Sequence, residues 1–328
     1  MAKAAAAALV ALVVVARLMT PAALQTAPIF RFTTDEFWLN LHHFLYVLGR
    51  AEAKMANASR AAVAGAPADS EQGLAALTAD ERQAWHDAIA FYAAGPSRKD
   101  AVFDESLSAV AAALVSARDD ASLEGAAFDP TLRAMLERAA PLYRKGWWQQ
   151  HHAANVARRR EIEALADRHG ATVLAFITQK YGMAWPSAGH PVHFSAWANW
   201  AGAYSTFRGI LVMSSLDRAS RGFDGLEIAF HEGMHQWDPA MNGLLFAEAR
   251  RTGKRLPPNV SHGVIFTTAG EAVRRVDPDH VPYAEANGVW SVGYDRVKPA
   301  LDEAWTPYLR GAGTRDEAIA ALVSRVGS

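Results

Sequence analysis

The chain has 328 residues, with 33 basic against 34 acidic side chains, a formal net charge of −1, and no cysteine. The charge balance removes any electrostatic case for nucleic acid binding. The lack of cysteine removes disulfides, thiolate metal ligands and a lipoprotein attachment site.

Lys3 precedes an apolar run over residues 4–16, too short to span a bilayer, which needs about 20 residues. A basic start, an apolar stretch and small residues after it read as a secretory signal peptide over 1–27, with cleavage near Ala23 or Ala27. The expectation is export, to the periplasm or outside a bacterial cell, with no stable membrane span after signal removal. An uncleaved N-terminal anchor is the alternative. Composition does not indicate an oligomeric state.

From 28 to 185 the pattern is helical. Thr33 and Glu36 have capping-box spacing, and Phe37, Leu41, Phe44 and Leu48 follow at helical spacing to about Arg60. Residues 61–76, with Gly65, Pro67 and Gly73, read as a loop. Thr78 and Glu81 open a helix that runs to Gly95-Pro96. Further helices are expected at 99–118, 131–145 (opened by Asp129-Pro130), 147–169 and 171–181. The charged run Arg158-Arg159-Arg160, followed by Glu161 and Glu163, reads as a solvated helix face. His42-His43 and His151-His152 are adjacent pairs, which point about 100° apart on a helix and make poor ligands for one ion.

Trp185-Pro186 marks a change to a strand-bearing part, 186–328. His190 and His193 stand in or beside the loop before the first strand, positions that can line a substrate cleft. Residues 193–206 read as a strand interrupted at Gly202, and 209–215 as a buried strand. A helix over about 225–238 follows, with Asp224 and Glu227 in a D-x-x-E cap and Pro239 as its stop. Another helix is expected from Ser261 to Arg275, ahead of Pro278. The C-terminus returns to helix over 297–309 and, capped by Thr314 and Glu317, on to Val326. The fold class is thus α+β and predominantly helical, with a small sheet packed on the helix at 225–238.

That helix carries His231-Glu232-Gly233-Met234-His235, an H-E-x-x-H sequence. Residues four apart share one helix face, so His231 and His235 can bind one Zn²⁺ while Glu232 reaches a water on it. A catalytic zinc normally takes three protein ligands and keeps one open position. The third must here be His, Asp or Glu. A compact H-E-x-x-H-x-x-G-x-x-H is excluded, since 238 and 241 are Asp and Met. Glu271, 36 residues after His235 and mid-helix among small residues, is the best candidate.

In this arrangement the chain resembles the zincin metallopeptidases, and among them the gluzincins, over about residues 190–300. The resemblance implies His231, His235 and Glu271 as ligands of a single Zn²⁺ per chain, Glu232 as general base, and a peptide or protein substrate bound along an edge strand. It also implies a donor for the tetrahedral oxyanion, for which His262 and Tyr294 are the candidates. One departure is Arg275, where gluzincins often carry an acid that orients a ligand histidine. Asp238, Asp277 or a backbone carbonyl is left for that task. The expected function is a zinc-dependent hydrolase of metallopeptidase type. Its alternatives are a non-catalytic zincin scaffold binding peptide or glycan, and a zinc hydrolase of a non-peptide bond.

Overall fold

The structure, a computed structural model, describes residues 27–56, 69–117, 122–199, 202–206 and 208–328. The segment 1–27, expected to be a signal peptide, therefore lies outside the described residues apart from Ala27. No helix among those described is long and apolar enough to cross a membrane.

Strand β1 (Phe30–Thr33) is followed by helices α1 (Phe37–Ala56), α2 (Ala79–Ala94), α3 (Glu105–Ser116), α4 (Pro130–Tyr143) and α5 (Gln149–Tyr181). Strands β2 (His190–Ser195), β3 (Ala203–Ser205) and β4 (Leu211–Ser214) come next. Helices α6 (Gly222–Met234), α7 (Asp238–Arg251), α8 (Val260–Val273), α9 (Tyr283–Ala286), α10 (Val297–Ala300), α11 (Thr306–Leu309) and α12 (Arg315–Val326) complete the chain. The fold is α+β and mostly helical, with one four-stranded mixed sheet.

The sheet order is β1-β2-β4-β3. β1, β2 and β4 are parallel, with Phe30 opposite His190 and Val192 opposite Leu211. β3 runs antiparallel to β4, with Tyr204 opposite Val212, and forms one edge. Parallel strands need crossovers and are usually covered on both faces, which suits an unbroken apolar run such as Leu211-Val212-Met213. Leu211 and Met213 point into a core shared with α5, α6 and α8, while Val212 and Tyr204 point into a core built on α1 to α4. The second core is rich in rings, with Trp85 stacked on Trp147 at 4.6 Å.

These cores do not divide at residue 185. β1 is hydrogen-bonded to β2, and Ile162, Val173 and Ile177 of α5 lie in the core of α6 and α8. The segment 28–185 thus contributes to both cores.

Several expected boundaries move for identifiable reasons. Thr33 ends β1, and Glu36 stands directly before α1 with its carboxylate on His193 Nδ1 at 2.5 Å, so the box expected with Thr33 as cap is displaced. α3 starts at Glu105, capped by Asp104. The helices expected at 147–169 and 171–181 are one helix that runs through Gly170. A Cβ there would stand 2.8 Å from Ile29 Cδ1, so the glycine admits the chain entering β1. The strand expected at 193–206 is two strands, β2 and β3. The Asp224 cap does not form: α6 starts earlier, and Pro239 lies in the first turn of α7, an unexpected helix. Proline in a first turn loses no hydrogen bond and is pre-set for helix, so it can end one helix and open the next. The boxes at Thr78–Glu81 and Thr314–Glu317 form, and Asp129 caps α4 with Pro130 in its first turn.

A buried polar network joins the two cores. Asn40 Oδ1 accepts from Ala196 N at 2.9 Å and Asn155 Nδ2 at 3.0 Å, and Asn155 Oδ1 accepts from the Ser215 hydroxyl at 2.6 Å. Asn40→Ala strips two buried donors of their acceptor. We expect it to destabilise the protein by about 2–4 kcal/mol in urea unfolding, whereas a loss under about 0.5 kcal/mol would show the network to be dispensable.

Candidate metal centre

α6 is anchored by an apolar face in which Leu226, Ala229, Phe230 and Met234 are fully buried. His231 and Glu232 stand near its C-terminal end, and His235 opens the short 3₁₀ turn His235–Trp237. Gly233 belongs to the same packing. A Cβ at that position would come 2.3 Å from the Trp185 ring, so the glycine lets the indole lie against the helix.

The third side chain at the centre is His262, from the first turn of α8. Its Nε2 is 3.0 Å from His231 Nε2, and the rings of His231, His235 and His262 form a near-equilateral triangle with centroids 5.0–5.1 Å apart. One ligand atom from each lies within 4.8 Å of the others, close enough to hold a metal ion. Among the described residues this is the group of ligand-type side chains that does so. Tetrahedral coordination at about 2.1 Å places ligand nitrogens about 3.4 Å apart, so closure needs shifts of about an ångström.

The hydrogen bonds around the triangle orient two of its rings. His235 Nδ1 meets Asp238 Oδ2 at 2.6 Å, which leaves Nε2 for the centre, the usual carboxylate–imidazole–metal relay. Of the three groups the sequence left open for this task, the structure selects Asp238. His262 Nδ1 meets the Tyr294 hydroxyl at 3.1 Å, which turns its Nε2 the same way. His231 Nδ1 is buried without a partner. Phe266, one turn beyond His262, lies against His231 at 4.2 Å and His262 at 4.5 Å and walls the site.

The electrostatics favour neutral imidazoles at His231 and His262. Burial, reinforced by the charges of its two neighbours, holds His231 well below the usual histidine range. Burial and His235 take His262 down to about 3. For His235 burial works downward, but the Asp238 hydrogen bond and the Glu232 charge outweigh it and raise the value. Burial raises Glu232 above the usual carboxylate range, with the His235 charge opposing. Neutral nitrogens are what a metal requires of histidine.

The structure does not bring Glu271 to this centre. Nine residues beyond His262 on α8, it is displaced by about 13 Å along the axis. Its carboxylate is instead held by Arg310 at 3.0 and 3.2 Å and by Arg274 at 3.1 Å. Those guanidiniums keep the carboxyl below its usual range despite burial. His262 takes the third position in place of Glu271, and Tyr294, like His262 an expected oxyanion donor, is engaged as its partner. Arg275 points away, over the Phe176 ring at 4.6 Å. Glu227, expected in the D-x-x-E cap, pairs with His280 at 2.5 Å. Four further histidines are engaged elsewhere: His42 with Tyr92, His43 with Tyr204, His151 with Tyr143 and Asp69, and His193 with Glu36.

These contacts separate the two candidates for third ligand. His262→Ala is expected to weaken zinc binding at least about 100-fold, and Asp238→Asn about 10- to 100-fold. Glu271→Gln should leave zinc affinity within about threefold while lowering stability through its arginines. Zinc titration with a competing chelator checks this, and tight binding by His262→Ala would refute it. No family model, no curated protein and no solved structure matches the chain, so the geometry of the site carries the functional argument.

Proposed function

We propose that the protein is a zinc-dependent hydrolase of the zincin metallopeptidase type, with His231, His235 and His262 as the zinc ligands. The observation that carries this reading is the triangle of imidazoles with the buried Glu232 carboxylate on the residue next to His231. Three nitrogen ligands with a fourth position left open suit a catalytic zinc, and imidazole suits that ion. A glutamate as third ligand no longer fits, so the gluzincin subtype is set aside and the zincin-like reading is kept.

Zinc, when bound, lowers the pKa of a water to about 7 and polarises a carbonyl group. Glu232 is the proton carrier. Burial brings its pKa toward neutrality, where a carboxylate is a better base than at its ordinary value. It takes a proton from the attacking water and delivers it to the leaving amine. Asp238 and Tyr294 hold two of the imidazoles in the tautomer that presents Nε2.

A peptide substrate is favoured by the edge strand. β3 lies at the sheet edge, and the Ser205 hydroxyl donates to the Glu232 carbonyl at 2.9 Å, which fastens that edge to the helix carrying the motif. An extended chain added along β3 would pass beside Glu232. The basic and apolar start of the chain supports export.

The expected result is about one zinc per purified chain, kept in Glu232→Gln while peptide cleavage falls about 10²- to 10⁴-fold. Metal analysis, with a mixed peptide library read by mass spectrometry, is the test. A zinc-loaded wild type that cleaves no peptide would refute the peptidase reading, and full activity in Glu232→Gln would refute the general base.

A further inference from the structure

Glu232 sits where α6 is least held by its own hydrogen bonds, since the last carbonyls of a helix lack partners within it. The helix also tightens here into the 3₁₀ turn His235–Trp237, and the His235 N–H is shared between the Glu232 and Gly233 carbonyls. Side chains supply what the backbone lacks. Gln236 Nε2 donates to the Gly233 carbonyl at 2.7 Å, and the Ser205 hydroxyl donates to the Glu232 carbonyl at 2.9 Å. Gln236 belongs to the same turn. Ser205 reaches it from β3, on the sheet.

The strand fixes where that hydroxyl points. Side chains alternate along a strand, and Tyr204 enters the α1–α4 core, so Ser205 turns to the α6 side. Tyr204 is itself anchored, its hydroxyl on His43 Nε2 at 2.7 Å. The ladder fixes the backbone as well. The Ser214 N–H donates to the Gly202 carbonyl and the Thr206 N–H to the Ile210 carbonyl, so residues 202, 204 and 206 turn their polar groups towards β4. The N–H and carbonyl of Ser205 therefore face the free edge. One residue offers its backbone to an added chain and its hydroxyl to the turn that carries the base. The hydroxyl bears on the carboxylate too: burial raises Glu232, and the His235 charge and a hydrogen bond from Ser205 work against that rise.

We propose that Ser205 is the positioning residue of the general base, its hydroxyl holding the turn that bears Glu232 beside a chain paired along β3. The side chain acts only through Glu232. Pairing at the Ser205 backbone stiffens the strand from which the hydroxyl projects, so a bound chain and a placed base go together. The assignment rests on the hydrolase reading above.

The test is a double-mutant cycle on zinc-loaded protein, with wild type, Ser205→Ala, Ser205→Thr, Glu232→Gln and the Ser205→Ala/Glu232→Gln double variant. It reads zinc content, kcat and KM on library peptides, and acetohydroxamic acid affinity by calorimetry. Acetohydroxamic acid binds zinc as its anion and gives its proton to a base beside the metal, so its affinity reports on Glu232 whatever bond the enzyme cleaves. Ser205→Ala keeps its backbone, and should keep its zinc and a KM within about twofold, while kcat and acetohydroxamic acid affinity each fall about tenfold. Ser205→Thr, which retains a hydroxyl, should restore both to within about threefold of wild type. In the Glu232→Gln background, Ser205→Ala should change the affinity by less than about twofold, because no base is left to position. Equal losses in the two backgrounds, a loss that Ser205→Thr does not recover, or a Ser205→Ala variant within about twofold of wild type in both readouts overturns the proposal. If the wild type cleaves no peptide, the peptidase reading falls, and the acetohydroxamic acid cycle still decides the role of Ser205. A zinc-loaded wild type that binds no acetohydroxamic acid overturns both.

Discussion

Side-by-side packing of α6 and α8 is the constraint on which the site depends. Their seam belongs to one buried core, with Leu226, Phe230 and Met234 on α6 and Val264, Ile265 and Ala269 on α8, in which each large apolar side chain contributes about 1.5–3 kcal/mol by leaving water. That seam brings the first turn of α8 beside the last turn of α6, so that His262 meets His231. Shifting either helix by one turn would displace its imidazoles by about 5 Å from their present places and abolish the triangle. The same seam explains why Glu271 is absent from it. Deep on α8, it faces the arginines of the helix end and of the segment after α11, where its charge is neutralised by Arg274 and Arg310.

A second constraint is that polar groups in the interior must be satisfied, and here they tie the α1–α4 core to the site. Tyr204 packs in that core with its hydroxyl on His43 at 2.7 Å, and the next residue, Ser205, bonds the Glu232 carbonyl. Strand β3 is therefore fixed on one side by α1 and on the other by the motif helix. The Asn40–Asn155–Ser215 network does the same for the ends of β2 and β4. An unsatisfied buried amide would cost more than the net worth of its hydrogen bond, so these side chains specify one arrangement of helix on sheet.

Much of this was legible in the amino-acid order. The H-E-x-x-H spacing placed His231 and His235 together, and local signals such as Thr78–Glu81, Asp129-Pro130 and Thr314–Glu317 marked helix starts correctly, because capping involves neighbours only. Non-local choices were not legible. Whether Glu271 or His262 faces the motif depends on the axial offset of two packed helices, which no single helix encodes. Gly170 broke the expected helix because a glycine's local cost was visible and the approach of Ile29 was not. Asp224 and Glu227 had the spacing of a cap but serve tertiary contacts, Glu227 with His280 and the Tyr283 backbone. The two adjacent histidine pairs were read as poor ligands for one ion, since neighbouring residues on a helix diverge, and His42, His43 and His151 are engaged with tyrosines.

The account stands or falls on three imidazoles meeting at one ion. X-ray absorption at the zinc edge of the metal-loaded protein tests that most directly. The account predicts three imidazole nitrogens at about 2.0–2.1 Å with one further light ligand, and outer-shell scattering from three rings. A first shell of two imidazoles with a carboxylate would contradict it and return Glu271 to the site.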